Sequence, residues 1–286
     1  MRRFFLTLDF EEWYHLEYID KENINPHTNE TTIDKLGNFF SLLDKYNIKI
    51  TVFILGELVA KHSSLIKKIS KNGHEIAIHG WNHDLLNNKN EKIFLKEISK
   101  AKKELEILIG KEVRGYRSPC FSIDNKKLEA LKTIGIKYDS SYIKFSDHPL
   151  YGTLSMKNFN KVEDLIYRKK GFFEFELPTI KIFNKHIPIS GGGYFRLFPR
   201  FLLKFLFKLF LKKNSNFVMY LHPFELSNIK VNLKGIVMMN KFRFQVGRRG
   251  GLKKLEWLIR FYIENGFEFE TMSEYIRNSK LKKNDV

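Results

Sequence analysis

Five short apolar runs alternate with four segments of helical period over the first half of the chain, and few folds accept that order. Phe4–Leu8, Ile48–Leu55, Glu75–Ile78, Val113–Tyr116 and Ile136–Tyr138 have the length and bulk of buried strands. Between them, Thr32–Tyr46, Leu58–Ile69, Glu91–Ile109 and Asn125–Ile134 place apolar residues on one helical stripe. Glycine follows three of these helices, at Gly73, Gly110 and Gly135, where a left-handed residue ends a helix cheaply. The alternation predicts an α/β fold with a parallel sheet or barrel. Beyond Tyr142 the pattern loosens. Phe172–Leu177, Thr179–Phe183, Phe217–Leu221 and Phe267–Glu270 read as strands, and Leu252–Glu264 as a helix. Gly191–Arg196 reads as a flexible hinge or a close-approach loop; no G-K-[ST] follows it, which excludes a phosphate loop. With no linker rich in Pro, Gly or Ser, one domain is expected over residues 1–286.

Composition narrows the class further. At 43% hydrophobic and 29% charged, the chain has the make-up of a globular protein. Its single cysteine, Cys120, excludes an intramolecular disulfide. The apolar run after Arg2-Arg3 stops at Asp9, too soon for a signal peptide, and nothing approaches the roughly 18 apolar residues of a membrane span. The expected location is the cytoplasm. A net charge of +18 invites a nucleic-acid reading, but zinc-finger spacing, a recognition helix and aromatic-basic RNA motifs are all missing, so no nucleic acid is expected. The lysines read as scattered over solvated helix faces. Phe201–Lys213 stands apart, because Lys204, Lys208 and Lys212 form one stripe among Phe and Leu. The ordinary reading, a barrel helix with a narrow solvated face, is preferred to a contact with an anionic membrane surface.

Four strand ends carry ionisable residues: Asp9, His79, Arg117 and His222. In a parallel barrel such ends share one face, so residues distant in sequence converge. His83 follows His79 by four residues; one helical turn there would point both imidazoles the same way. Two histidines and one carboxylate meet the ligand count of a catalytic zinc site.

In this order, Asp9 with a following carboxylate, His79-x3-His83, Arg117-Ser-Pro, Asp139-Ser-Ser and Leu221-His222 resemble the motifs of the polysaccharide deacetylases of carbohydrate esterase family 4. The resemblance runs from Thr7 to about Glu225. Gly-Gly-Gly-Tyr-Phe-Arg and Leu-His-Pro point to a branch associated with bacterial exopolysaccharide gene sets. The resemblance implies a deformed (β/α) barrel with about seven parallel strands. It also implies metal-dependent removal of an acetyl group, N-acetyl in the first instance, from an acetylated glycan. Under it His79 and His83 bind the metal with a carboxylate. Asp9 is the general base on the attacking water, Arg117 pairs with Asp9, and His222 is the general acid. A backbone N–H near Cys120 or Phe121 stabilises the oxyanion, and Tyr194 is a sugar contact. Trp81 is either a sugar-stacking wall or a seal on the core. Zinc suits the ligand set, and cobalt, iron or manganese also occupy such sites.

The sequence departs from the common family form, which has two adjacent aspartates: Phe10 follows Asp9 here. On an extended backbone residues 9 and 11 share a face, so Glu11 is the expected third ligand, with Glu12 the alternative if the strand has already bent. The partner of the acid histidine is not legible, and Glu225 is named only from proximity. Cys120 reads as packing rather than a nucleophile, and Asp139-Ser140-Ser141 admits a plain turn. His15, His27, His62, His74, His148 and His186 read as structural. Two alternatives stay open: a hydrolase of small amides or ureides on the same scaffold, and a catalytically silent glycan-binding protein.

Overall fold

The computed structural model describes residues 1–19, 31–87, 89–145, 148–231, 233 and 236–284. β1 (Arg2–Phe10), β2 (Thr51–Ile54), β3 (Glu75–Ile78), β4 (Gly115–Tyr116) and β5 (Tyr138–Asp139) are neighbours in sequence and in the sheet. α1 (Gly37–Lys45), α2 (Ser63–Lys71), α3 (Glu91–Ile109) and α4 (Asn125–Thr133) make the crossovers between them. An antiparallel pair, β6 (Asn160–Glu163) and β7 (Ile166–Lys169), leads to β8 (Phe172–Phe175), which joins β5 in parallel. β9 (Thr179–Ile182) and β10 (Lys185–Pro188) form a separate hairpin. After α5 (Gly192–Leu197) and α6 (Arg200–Leu211), β11 (Asn216–Leu221) pairs in parallel with the other side of β1. α7 (Pro223–Leu226), α8 (Met238–Gln245), α9 (Gly251–Glu264), β12 (Phe267–Phe269) and α10 (Met272–Asn284) complete the chain.

The order β11-β1-β2-β3-β4-β5-β8 is parallel throughout, and the sheet ends on one side at β11 and on the other at β6. The sheet is therefore a curled, deformed barrel, with helices around it. Side chains alternate across it. Phe4, Leu6, Leu8 and Phe10 of β1 pack outward under the helices, whereas Phe5 joins Phe53, Ala77, Tyr138, Phe175 and Val218 in an inner core. Met272, Tyr275 and Ile276 of α10 plug the bottom of that inner core. The plug is pinned at Glu75, whose carboxylate accepts the Tyr138 hydroxyl at 2.6 Å, the Thr51 hydroxyl at 2.7 Å and the Ser273 N–H at 3.1 Å. With the floor sealed by rings each contributing roughly 1.5–3 kcal/mol on burial, the other end of the inward row is left for polar groups. On β1 that row ends in Thr7, Asp9 and, one step past the strand, Glu11.

Candidate active site

Arg117 is the buried centre of the polar end. It leaves β4 by one residue and is wholly inaccessible. Its Nη1 donates to the Thr7 hydroxyl at 2.7 Å and to Asp9 Oδ1 at 2.8 Å. Its Nε donates to the Ser140 carbonyl at 3.0 Å and Nη2 to the Ser140 hydroxyl at 2.9 Å. The guanidinium lies 4.2 Å from the Phe53 ring centroid, directly on the inner core. A buried cation with its donors matched in this way holds the facing carboxylate in one orientation. Asp139-Ser140-Ser141 is thus more than a turn. Ser141 Oγ accepts the Ser118 N–H and donates to Asp139, and Glu174 Oε1 accepts the N–H groups of Ser141 and Tyr142.

Glu11 meets the two histidines beside this brace. Its Oε2 is 2.7 Å from His83 Nε2 and 3.7 Å from His79 Nε2, and all three side chains are buried. His79 continues the β3 ladder through its N–H to Ile54. Its Nδ1 donates to the Arg117 carbonyl at 3.0 Å, which fixes the tautomer and turns Nε2 toward Glu11. The expected helical turn over residues 79–83 does not form. Gly80 at φ +97° and His83 at φ +62° bend the chain instead, and a Cβ on Gly80 would press on Pro119 at 3.1 Å. The rings still converge, with centroids 5.4 Å apart. His83 Nδ1 faces outward, 3.4 Å from Glu17 Oε1.

The donor set fits a divalent cation. One ligand atom from each of Glu11, His79 and His83 lies within 4.8 Å of the others, and both Glu11 oxygens are buried facing imidazole nitrogens. Burial by itself would raise the Glu11 pKa, but His83, His79 and His222 together hold it well below the ordinary carboxylate range. Burial likewise pulls His83 down, yet Glu11 and Glu17 push it up to about 10. A buried carboxylate that recruits a proton onto a neighbouring imidazole is a place where a cation replaces that proton.

His222 enters from the far side of β1. Its Nε2 is 3.5 Å from Glu11 Oε1 and 3.9 Å from Asp9 Oδ2, while Nδ1 sits 3.2 Å from Glu225 Oε2. Burial lowers its pKa, but Glu225, Glu11 and Asp9 outweigh burial and raise it to about 9. Glu225 is in turn held by Arg196 Nε at 3.0 Å. The Gly191–Arg196 stretch that produces Arg196 is a helix, α5, not a flexible hinge. Its glycines serve close approach: a Cβ on Gly191 would overlap the Tyr220 hydroxyl, and one on Gly192 would overlap the Glu225 carboxylate.

Several sequence expectations change here. Glu12 is excluded from the cluster, because its carboxylate accepts the Thr32 N–H and hydroxyl and the Ile33 N–H, capping a 3-10 turn at Ile33–Lys35. Trp81 seals the outer core: its ring covers Gly56 and lies 3.8 Å under the Lys100 ammonium, so no sugar-facing role is kept for it. The Phe121 N–H bonds the Ser118 carbonyl and is not an oxyanion donor; the Cys120–Phe121 corner has left-handed φ values of +47° and +55°. Cys120 lies near Glu17 and the outer nitrogen of His83. Tyr194 is half-buried on α5 with its ring 5.7 Å from that of Phe198. His15 bonds the Glu12 N–H and pairs with Glu57, His62 faces Asp34, and His27 lies outside the described residues. Glu17, Glu174 and Arg196 were not singled out by pattern, because the groups they meet in the site are 29 or more residues away along the chain.

Comparison with known proteins gives the same picture at the level of family. The family model described as polysaccharide deacetylase matches residues 32–138, and a domain of unknown function, DUF3473, matches residues 140–277. The likeness to the polysaccharide deacetylase family thus covers somewhat more than a third of the chain. A peptidoglycan deacetylase of Helicobacter pylori is 24% identical to this chain over 202 residues, which are 69% of this chain and 64% of that protein. The match therefore spans less than two thirds of that relative. Among solved structures, a Mycobacterium smegmatis protein assigned to the polysaccharide deacetylases superposes with a TM-score of 0.59 at 19% identity, covering 99% of this chain and 92% of that one. PuuE allantoinase has the same TM-score at 15% identity, covering 96% and 89%. These two likenesses establish a shared fold. The sheet runs unbroken through both matched stretches, since β5 pairs with β8 and β1 with β11.

Proposed function

We propose that this chain is a polysaccharide deacetylase that removes N-acetyl groups from a glycan sugar with a divalent cation held by Glu11, His79 and His83. The reading is carried by the convergence of three arrangements on one volume: the two-histidine, one-glutamate cluster, the Asp9–Arg117 pair and the His222–Glu225 pair. The cation would supply a Lewis acid that polarises the acetyl carbonyl and acidifies water. Zinc suits these donors, and cobalt, iron or manganese can take the same three ligands. Asp9 accepts the proton of the attacking water through Oδ2, since Arg117 occupies Oδ1. His222 then donates from Nε2 to the departing nitrogen. An amine must be protonated to leave, and an imidazole raised to about 9 holds its proton at neutral pH. That match favours an N-acetyl over an O-acetyl substrate. The Gly-Gly-Gly-Tyr-Phe-Arg branch supports an exopolysaccharide or its precursor as the glycan.

The test is acetate release by purified protein across a panel of N- and O-acetylated glycans with each of several divalent metals. Acetate is expected in equal amount to new free amine, and Asp9→Asn is expected to abolish both. Ammonia release or ring opening of small amides and ureides in place of acetate release would transfer the site to that other C–N chemistry. No release from any substrate with any metal would sink the enzymatic reading in favour of glycan binding alone, as would unchanged glycan acetylation in cells carrying His79→Ala.

A further inference from the structure

The positive charge of the chain is not scattered. Residues 177–255 contain 16 lysines and arginines and one acidic residue, Glu225, so they carry +15 of the net +18. Glu225 is buried against Arg196 and His222, so its charge is answered inside the protein.

α6 lies in this segment and presents more than a narrow solvated face. Leu203, Leu206, Phe207, Phe210 and Leu211 pack into the outer core. On the opposite face Phe201, Phe205 and Leu209 recur at every fourth residue and are 77%, 63% and 41% exposed. Lys204, Lys208 and Lys212 run beside them, also exposed. α8 repeats the chemistry: Met238, Met239 and Phe242 are exposed and Arg243 stands among them. α8 is tied to α5, the helix that leads into α6, at Arg196, whose Nη1 donates to the Arg243 carbonyl at 3.1 Å and the Val246 carbonyl at 2.6 Å, immediately before exposed Leu197. Large side chains left in water forgo the roughly 1.5–3 kcal/mol that burial of each would contribute. Two helices doing this within one basic segment describe a surface that is covered in use.

We propose that the exposed stripes of α6 and α8 dock on an anionic lipid bilayer. Phe201, Phe205, Met238 and Phe242 enter the boundary between headgroups and acyl chains, and the lysines of α6 meet the lipid phosphates. Charge complementarity selects an anionic surface, and the exposed rings select lipid over a soluble polyanion, which would leave them in water. The contact is interfacial: α6 is only about 18 Å long, and among the described residues no helix is long and apolar enough to cross a membrane. α5, which starts against Glu225, leads directly into α6. The docking does not depend on the deacetylase reading and is measured without it.

The test is sedimentation of the full chain with vesicles of equimolar phosphatidylcholine and phosphatidylglycerol, and with vesicles of phosphatidylcholine alone. Binding is expected to the anionic vesicles, at least about tenfold tighter than to the neutral ones, and to weaken with salt. Lys204→Gln with Lys208→Gln is expected to weaken it about fivefold per lysine. Phe201→Ser with Phe205→Ser is expected to weaken it at least about tenfold at unchanged melting temperature, because both rings are already in water in the free protein. No binding to anionic vesicles would overturn the proposal. So would undiminished binding by the phenylalanine variant together with full competition by a soluble acidic polymer, which would make the face a polyanion site.

Discussion

Replacing Glu174 with glutamine tests the brace behind Arg117 through its proton. Glu174 is fully buried next to Asp139; desolvation first, then the Asp139 charge and the hydrogen bond between the two carboxyls, push the Glu174 pKa well above the ordinary value. Burial raises Asp139 as well, to about 6. Glu174 therefore holds its proton to higher pH in the folded state than in the unfolded chain, which gives it up near 4.5. A group raised in the folded state contributes stability that is complete below its unfolded pKa and is lost as pH rises toward its folded one. Asp139, at about 6 when folded, is mostly ionised in both states above pH 7, so the slope that remains there belongs to Glu174. One retained proton changes the unfolding free energy by about 1.4 kcal/mol per pH unit. The substituted amide would keep an acceptor for the Ser141 and Tyr142 N–H groups and offer Asp139 an N–H in place of the acid proton. Urea unfolding at half-unit steps of pH should show the wild type losing stability relative to Glu174→Gln as pH rises above 7, by up to about 1.4 kcal/mol per pH unit. Parallel profiles, with a constant difference between the two proteins, would refute the reasoning, because Glu174 would then titrate alike in both states.

Glu11→Gln is expected to weaken binding of zinc at least about a hundredfold by calorimetry, whereas Glu12→Gln should leave zinc affinity intact and cost about 1–3 kcal/mol of stability by freeing Thr32 and Ile33 donors. Equal zinc affinity in wild type and Glu11→Gln would remove Glu11 from the ligand set. Glu225→Gln withdraws the largest single support for the His222 proton, so the alkaline limb of the kcat/KM profile should move to lower pH with zinc affinity unchanged. An alkaline limb that stays in place would separate Glu225 from the acid. Gly192→Ala drives a methyl into the Glu225 carboxylate; a loss of about 1–3 kcal/mol and the same downward shift of the alkaline limb are expected, and a melting temperature equal to wild type would contradict the close approach.

The parallel architecture was legible because buried strands and amphipathic helices leave different periods in sequence, and because the alternation over residues 4–138 admits few topologies. The convergence of Asp9, His79, Arg117 and His222 followed from strand ends alone, since a parallel barrel brings such ends to one face. Their geometry did not. The 79–83 spacing is equally compatible with a helical turn and with the loop that forms, because the outcome depends on left-handed φ values at Gly80 and His83 and on Pro119 packed beneath.

Choices between similar residues lay beyond the sequence for the same physical reason: each was decided by a partner distant along the chain. Glu11 and Glu12 are both carboxylates after one strand, and only Thr32 and Ile33, some 20 residues on, claim the second of them. Glu225 gains its place under His222 from Arg196, 29 residues earlier. Trp81 has the composition of a sugar platform and the position of a core seal, because Gly56 leaves room for its ring. In α6 every residue except the lysines and Arg200 is apolar, so periodicity cannot say which apolar residues face inward. Chain composition determined that residues 177–255 would be basic and that Phe201–Leu211 would be a helix with lysines on one stripe. Only packing against the sheet, which buries Phe207 and Phe210 and turns Phe201 and Phe205 outward, decided that the lysine stripe would stand beside rings in water.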